Sequence, residues 1–215
     1  MELYNSIEGG LRGEINSIKL KRLKEIVKKA YEIPYYHDKM LKKEVDPSEI
    51  NSLEDLKKLP FTTKEDLRKC YPDKHFAVDN KEIVRLHASS GTTGKSTFVA
   101  YTKKDIELWS EVMARNLVSC GVTKDDIIQV SYGYGLFTGG LGLHYGAEKL
   151  GATVIPASSG STKRQIELID DLNVTVIACT PSYALYLYDF IEKNDLNPDL
   201  SSLRIGLFGA ESWSN

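Results

Sequence analysis

The feature that most constrains the fold of this sequence is a regular alternation of apolar and helical segments beyond residue 82. Short apolar runs such as "DIIQVSY", "VTVIACT" and "LRIGLFG" are separated by segments with helical spacing, for example Asp105–Ser119 and Ser182–Lys193. Strands that alternate with helices pair in parallel, because each crossover helix returns the chain to the same edge of the sheet. The pattern therefore predicts an α/β protein with a largely parallel β-sheet flanked by helices.

The first 81 residues follow a different pattern. Residues 16–33 carry apolar side chains on one helical face, and the stretch after them is short and punctuated by capping signals such as Thr63 followed by Asp66. We therefore predict two parts: a helical N-terminal adaptor region over residues 1–81 and an α/β core over residues 82–215.

Composition and charge exclude several classes of protein. The chain has 28 Lys and Arg residues against 30 Asp and Glu residues, a formal net charge of −2, so it lacks the basic surface that nucleic acids or anionic membranes attract. No run approaches the roughly 20 apolar residues that span a bilayer. Three widely spaced cysteines favour a reducing cytoplasm.

The histidines do not indicate a metal site. None of the four lies at ligand spacing from a cysteine. His144 and Glu148 are four residues apart on a predicted helix, and two such side chains favour a hydrogen-bonded pair over a metal centre. We assign no metal ligand in this chain.

The segment "RLHASSGTTGKSTFV" (85–99) has the composition of a phosphate-binding loop, with glycines, hydroxyls and a lysine. One interpretation is the Walker A loop of P-loop NTPases and kinases. That loop requires glycine where this chain has Ser89, and it opens into a helix, whereas the residues after Lys95 alternate like a strand. The sequence therefore favours a glycine loop between two strands over a Walker A loop.

Two more loops follow predicted strands: "GYGLFTGGLG" after the segment ending at Tyr132, and "GAESW" from Gly209. Ligands of open parallel sheets collect at the carboxyl ends of the strands, so we expect all three loops to meet around one hollow. The aromatic residues of the second loop suit an apolar pocket wall, but core aromatics with turn-forming glycines explain them equally well.

The segment "SSGTTGK" between two strands resembles the phosphate loop of the adenylate-forming superfamily. The segments "YGYGLFTGGLGLHYGAEKLGATVIP", "TPSYAL" and "GAESW" narrow the resemblance to the phenylacetate–CoA ligases, and it extends over nearly the whole chain. It implies the N-terminal part of the adenylate-forming fold. It also implies ATP-dependent activation of an arylacetic acid, phenylacetate above others, to an acyl-adenylate and then a CoA thioester, with release of AMP and pyrophosphate.

The resemblance also implies a role for residues of each loop. The triphosphate would be held by Ser89, Ser90, Gly91, Thr92, Thr93, Gly94 and Lys95. The aryl pocket would be shaped by Tyr132, Tyr134, Phe137 and Gly139. The acyl-adenylate would be bordered by Gly209, Ala210 and Glu211. The implied cofactors are ATP, Mg²⁺ and coenzyme A as co-substrate.

The sequence departs from the family pattern in two ways. Ser96 and Ser212 stand where these ligases usually have proline, which should loosen each loop at a cost of about 0.4–1 kcal/mol. The chain also ends at Asn215, before the family's magnesium glutamate, ribose aspartate and mobile C-terminal domain with its catalytic lysine. We therefore assign no catalytic residue in this chain, regard its core as incomplete and expect it to be inactive alone.

Other interpretations stay open. The chain could be a non-catalytic fragment or a binding module for a nucleotide or an aryl acid. Phenylacetate, hydroxyphenylacetate and indoleacetate would all present a ring to the pocket, and relatives that adenylylate a deazaflavin share these loops. The region of Tyr35, Tyr36 and Met40 is a candidate homodimer contact.

Overall fold

The computed structural model describes residues 4–89, 96–136 and 138–213. Its contacts group Asn5–Lys104 into one compact unit and the residues from Asp105 onward into another. The sequence predicts the boundary earlier, between residues 81 and 82. The difference arises because the first two strands form a hairpin that joins no other strand among the described residues.

The first unit consists of short helices followed by this hairpin. Its α-helices are α1 (Arg12–Tyr31), α2 (Pro34–Leu41) and α3 (Lys64–Lys69). Short 3-10 helices lie at Ser6–Gly9, Pro47–Glu49, Leu53–Lys58 and Asn80–Glu82. The hairpin strands are β1 (Ile83–Ala88) and β2 (Phe98–Thr102).

Asp66 ties the helices of this unit together. Its carboxylate accepts hydrogen bonds from the Tyr35 hydroxyl (2.5 Å), the Lys39 ammonium (2.6 Å) and the Thr63 N–H (2.7 Å), and these donors hold the pKa of Asp66 well below its usual range. The predicted Thr63–Asp66 capping box is confirmed. Met40 is buried among Val27 and its neighbours. Met40 and the Tyr35 hydroxyl thus make contacts within the chain, and the dimer contact expected in this region stays a prediction.

The glycine loop lies between antiparallel strands. Leu86 of β1 is paired with Ala100 of β2. After β1 the Ser89 N–H donates to the Thr97 carbonyl, and the Thr97 N–H donates to the Ser89 hydroxyl, each at 3.0 Å. The expectation that this loop leaves a strand of the parallel sheet is therefore wrong. The predicted strand after Lys95 is confirmed, which removes the helix that a Walker A loop requires.

The second unit contains the predicted parallel sheet. Its strand order is β4-β3-β5-β6, and every neighbouring pair is parallel. The strands are β3 (Ile127–Val130), β4 (Thr153–Ile155), β5 (Val176–Cys179) and β6 (Ile205–Phe208). The helices are α4 (Lys103–Ser119), α5 (Gly139–Leu150), α6 (Thr162–Asp171) and α7 (Pro181–Lys193).

Apolar side chains cover both faces of this sheet. On one face Ile128 and Val130 pack with Leu117 of α4 and Ala147 of α5. The opposite core brings together Ile166, Ile169, Val174, Ile177, Cys179 and Leu187. All four residues of β5 are buried, as expected for a central strand covered by helices on both sides.

Glycines allow α4 and α5 to approach closely. A Cβ atom on Gly146 would lie 2.5 Å from the Cβ of Met113, and one on Gly142 would lie 2.8 Å from the Trp109 ring. Neither glycine therefore tolerates a side chain without a shift of α4. Part of the glycine-rich segment after Tyr132 thus serves helix packing, a role that the sequence analysis did not assign.

A buried carboxylate organises the amino end of the sheet. Asp126 accepts hydrogen bonds from Thr175 Oγ1 (2.6 Å), Arg204 Nε (2.9 Å) and the Thr123 N–H (2.7 Å), and Arg204 also donates to the Gly121 carbonyl (2.9 Å). Burial alone would raise the pKa of Asp126, but Arg204 and the other donors lower it to about 2. These contacts join the residues before β3 to those before β5 and β6.

We predict that Asp126→Asn destabilises the chain at pH 7 by about 2–3 kcal/mol, because Arg204 loses its charged partner. The pKa of Asp126 lies below the unfolded value of about 3.9. The stabilisation is therefore complete above that value and is lost as the pH falls toward 2. Urea unfolding followed by circular dichroism between pH 7 and pH 2.5 should show a shallower acid dependence in the variant.

The control is Asp125→Asn, since Asp125 is the exposed neighbour of Asp126. It should unfold like the wild type at every pH. If Asp126→Asn kept the wild-type acid dependence, Asp126 would not be the carboxylate whose protonation destabilises the fold.

Candidate functional site

A cavity of about 800 Å³ lies in the second unit, along β6 and next to the carboxyl end of β3. Its walls come from four segments: the C-terminal half of α4, the loop after β3, the first turns of α5, and β6 with the residues that follow it. The volume is that of a small-molecule site. Two of the three loops expected to share a hollow therefore do so.

Tyr132 joins the ends of three strands in the wall of this cavity. Its hydroxyl donates to the Cys179 carbonyl at 2.5 Å and lies 3.4 Å from the Gly209 carbonyl oxygen. Burial raises the pKa of Tyr132, which keeps the hydroxyl protonated as a donor. The ring is thus fixed between β3, β5 and β6 and presents an apolar surface to the cavity.

Residues after β6 complete this wall. Gly209 and Ala210 line the cavity, and Ala210 has a φ of 69°, a left-handed conformation that costs a non-glycine residue free energy. Trp213 also lines the cavity and meets Phe208 edge to face, with ring centroids 6.1 Å apart. The lining therefore includes an aromatic pair in addition to Tyr132.

Glu211 anchors the loop that carries these residues. Its carboxylate accepts hydrogen bonds from the Ser182 hydroxyl (2.8 Å) and the Ser182 N–H (3.1 Å) at the start of α7, and these bonds lower the pKa of Glu211. Thr180 caps α7, and Pro181 is the first residue of this helix. Glu211 is absent from the cavity lining among the described residues.

We predict that Glu211→Ala changes the emission of Trp213, because the loop loses its attachment to α7 and the indole, already 63% exposed, loses its fixed contact with Phe208. The chain has two tryptophans, so the Trp213 signal is the difference between each protein and its Trp213→Phe counterpart. Glu192→Ala, which removes an exposed carboxylate near the other end of α7, is the control. If the Trp213 emission spectra of Glu211→Ala and the wild type were the same, Glu211 would not be the residue that anchors this loop.

Tyr134 does not face the cavity. A Cβ on Gly140 would lie 2.9 Å from the Tyr134 ring, so this ring packs directly on α5, beside His144. Gly139 does line the cavity, and a Cβ there would be at an ordinary contact distance of 3.7 Å from the Tyr132 Cβ. Phe137 lies outside the described residues.

Of the predicted phosphate-binding residues, the structure describes Ser89 alone. Its hydroxyl accepts a hydrogen bond from the Thr97 N–H at 3.0 Å. Residues 90–95, which are Ser90, Gly91, Thr92, Thr93, Gly94 and Lys95, lie outside the described residues.

Sequence analysis missed the part of the lining that comes from α4 and β6. Met113 and Asn116 lie on α4, and Phe208 ends β6. Phe208 carried a usable signal, because it directly precedes the Gly209 loop. The α4 residues carried none, since an amphipathic helix gives no sign of which residue borders a cavity.

Comparisons with known proteins identify the family. The family model described as AMP-binding enzyme matches residues 15–215, and the chain therefore belongs to the AMP-binding enzyme family. A phenylacetate-coenzyme A ligase of Pseudomonas putida is 52% identical over 197 residues, covering 91% of this chain and 45% of that protein. One from Aromatoleum evansii is 49% identical over 209 residues, covering 97% and 48%.

The chain thus spans about half the length of the curated relatives that it matches. Among solved structures, 2-hydroxyisobutyryl-CoA ligase in complex with 2-HIB-AMP and CoA superposes with a TM-score of 0.87 at 29% identity. That match covers 94% of this chain and 44% of the other. Within the described ranges, every helix is too short or too polar to cross a membrane.

Proposed function

We propose that this chain is part of an ATP-dependent ligase that converts an arylacetic acid, phenylacetate above others, into its CoA thioester. The observation that carries the proposal is the cavity beside the parallel sheet, whose lining includes the rings of Tyr132, Phe208 and Trp213. The chain that forms it belongs to the AMP-binding enzyme family. Relatives with about 50% identity are named phenylacetate-coenzyme A ligases, which supports the choice of acid.

In this reaction a carboxylate oxygen of the acid attacks the α-phosphorus of ATP, and pyrophosphate leaves. The thiol of coenzyme A then attacks the acyl carbon of the adenylate, and AMP leaves. The contribution of this chain would be binding and orientation, because the rings hold the aryl group while the carboxylate faces the nucleotide. Gly209 and Ala210 would border the acyl-adenylate, and Glu211 would hold their loop in place.

The predicted triphosphate contacts, Ser89 to Lys95, belong to the same proposal. The hairpin supports it, since β1 and β2 bring both ends of the glycine loop together. For Mg²⁺ the described residues offer no group of three His, Cys, Asp or Glu side chains that could hold a metal, so we assign the ion to none of them. A homodimer and a cytoplasmic location stay predictions.

We predict that the chain binds phenylacetate saturably, as a change in Trp213 emission and in equilibrium dialysis with labelled acid. Tyr132→Ala should weaken the affinity about 10-fold, because the cavity loses an aromatic wall. Tyr188→Ala, which removes an exposed ring from α7, should bind like the wild type. Competition by hydroxyphenylacetate and indoleacetate in the same assay ranks the candidate acids.

Absence of saturable binding by the wild type would contradict the proposed function. The alternative of a non-catalytic binding module is favoured by one observation: the described walls of the cavity all come from one unit. Acid-dependent exchange of pyrophosphate into ATP by this chain would exclude that alternative.

We further predict that Lys95→Ala weakens ATP binding by about 10-fold or more while leaving phenylacetate binding unchanged. The reason is that Lys95 would supply the positive charge of the phosphate loop. Lys124→Ala, at an exposed position in the second unit, is the matched control. Calorimetric titration with ATP measures the effect, and an unchanged ATP affinity would remove Lys95 from the phosphate role.

A further inference from the structure

We propose that His144 and Glu148 are positioning residues that act through Tyr134 to hold the loop after β3 in the shape that forms the cavity wall. The inference rests on the function proposed above, and it assigns a role to three side chains that lie outside the cavity lining among the described residues. They would set the affinity for the acid without touching it.

Tyr134 occupies the middle of the wall-forming segment. Tyr132 and Gly133 precede it and Gly135 and Leu136 follow it, and all four line the cavity. The Tyr134 ring turns the other way, onto α5. A backbone hydrogen bond from the Gly140 N–H to the Gly133 carbonyl (3.2 Å) ties the same segment to α5. Because the chain is continuous, fixing Tyr134 restricts the wall residues on both sides of it.

Helix α5 provides a matching surface at four-residue spacing. Gly140, His144 and Glu148 lie on one face, since residues four apart are neighbours on a helix. Gly140 leaves the room that the Tyr134 ring fills. The imidazole of His144 meets this ring edge to face, with centroids 5.8 Å apart and planes at 90°. Ring contact of this kind adds to the attachment.

A series of polar contacts connects the loop to Glu148. The Tyr134 hydroxyl lies 3.4 Å from His144 Nδ1, and His144 Nε2 lies 3.2 Å from the Glu148 carboxylate. A neutral imidazole has one N–H and one acceptor nitrogen. With Nε2 donating to Glu148, Nδ1 accepts from the tyrosine hydroxyl. Burial, reinforced by the negative charge of Glu148, raises the pKa of Tyr134 to about 12, so its hydroxyl stays a donor.

The arrangement supports positioning rather than direct chemistry. In the described part of the chain, no group of three metal-ligating side chains occurs, and the sequence-based choice of a hydrogen-bonded His144–Glu148 pair is confirmed. None of the three side chains is among the described cavity-lining residues. What the network can do is limit the orientations of Tyr134, which lowers the entropy cost of forming the wall when the acid binds.

The test compares phenylacetate affinity with stability in a set of variants. His144→Ala and Tyr134→Phe should each weaken phenylacetate binding about five- to tenfold, as expected for a wall that is no longer preorganised. ATP affinity should change less than about twofold, because the acid site alone is affected. Adding His144→Ala to Tyr134→Phe should cause less further loss than in the wild-type background, because the hydroxyl link is already absent.

His144→Asn serves as the conservative rescue, since its carbonyl oxygen can replace Nδ1 as the acceptor for Tyr134. It should recover part of the affinity that His144→Ala loses. Glu167→Ala is the matched control for Glu148→Ala, because Glu167 pairs with Lys163 at the same spacing on α6 with similar exposure. Glu148→Ala removes the acceptor for His144 Nε2 and should weaken phenylacetate binding, whereas Glu167→Ala should not.

The outcomes separate this inference from the proposed function. If the wild type fails to bind phenylacetate, the proposed function fails and the inference fails with it. If the wild type binds and all the variants bind equally well, the inference alone is overturned. Lower unfolding free energy with unchanged affinity would assign the network to stability and would also overturn it. Should His144→Ala not fold, Tyr134→Phe decides, since it removes one hydroxyl.

Discussion

The parallel pairing of β3 with both β4 and β5 determines where the other elements of the second unit lie. Because the three strands run in one direction, their carboxyl ends emerge at one edge, and the loops that follow them meet there. Because the strand ends lie close together, the hydroxyl of Tyr132 after β3 contacts carbonyl groups at the ends of both β5 and β6. At the opposite edge Asp126 performs a comparable task with Arg204 and Thr175. The sheet is thus fastened by polar contacts at both ends and by apolar packing on its faces.

Much of this architecture could be predicted from the sequence, because its signals are local. Apolar runs such as Ile127–Val130 and Val176–Cys179 predict strands without knowledge of any partner. Gly151 ends α5 in a left-handed conformation, and Thr180 with Pro181 begins α7, both as expected from residue type alone. These features depend on the chemistry of a few consecutive residues, which a single sequence displays.

Features that depend on distant partners could not be predicted in the same way. The pattern of β1 and β2 identified both strands, but alternation does not reveal that they pair antiparallel and apart from the main sheet. Tyr134 and Tyr132 are two residues apart in one aromatic segment, yet Tyr134 packs on α5 and Tyr132 lines the cavity. Which way each ring turns is decided by Gly140 and by the ends of β5 and β6, and neither is visible from the segment itself.

The interlock of α4 and α5 limits how a cavity of this kind can diverge. Met113 sits where Gly146 has no side chain, so α5 cannot slide or rotate on α4 without a steric collision. The position of α5, which supports one wall of the cavity, is therefore fixed relative to α4. A lineage whose cavity grew or shrank would have to exchange side chains in the lining, such as Asn116, Leu143 or Phe208, while the two helices kept their relative position.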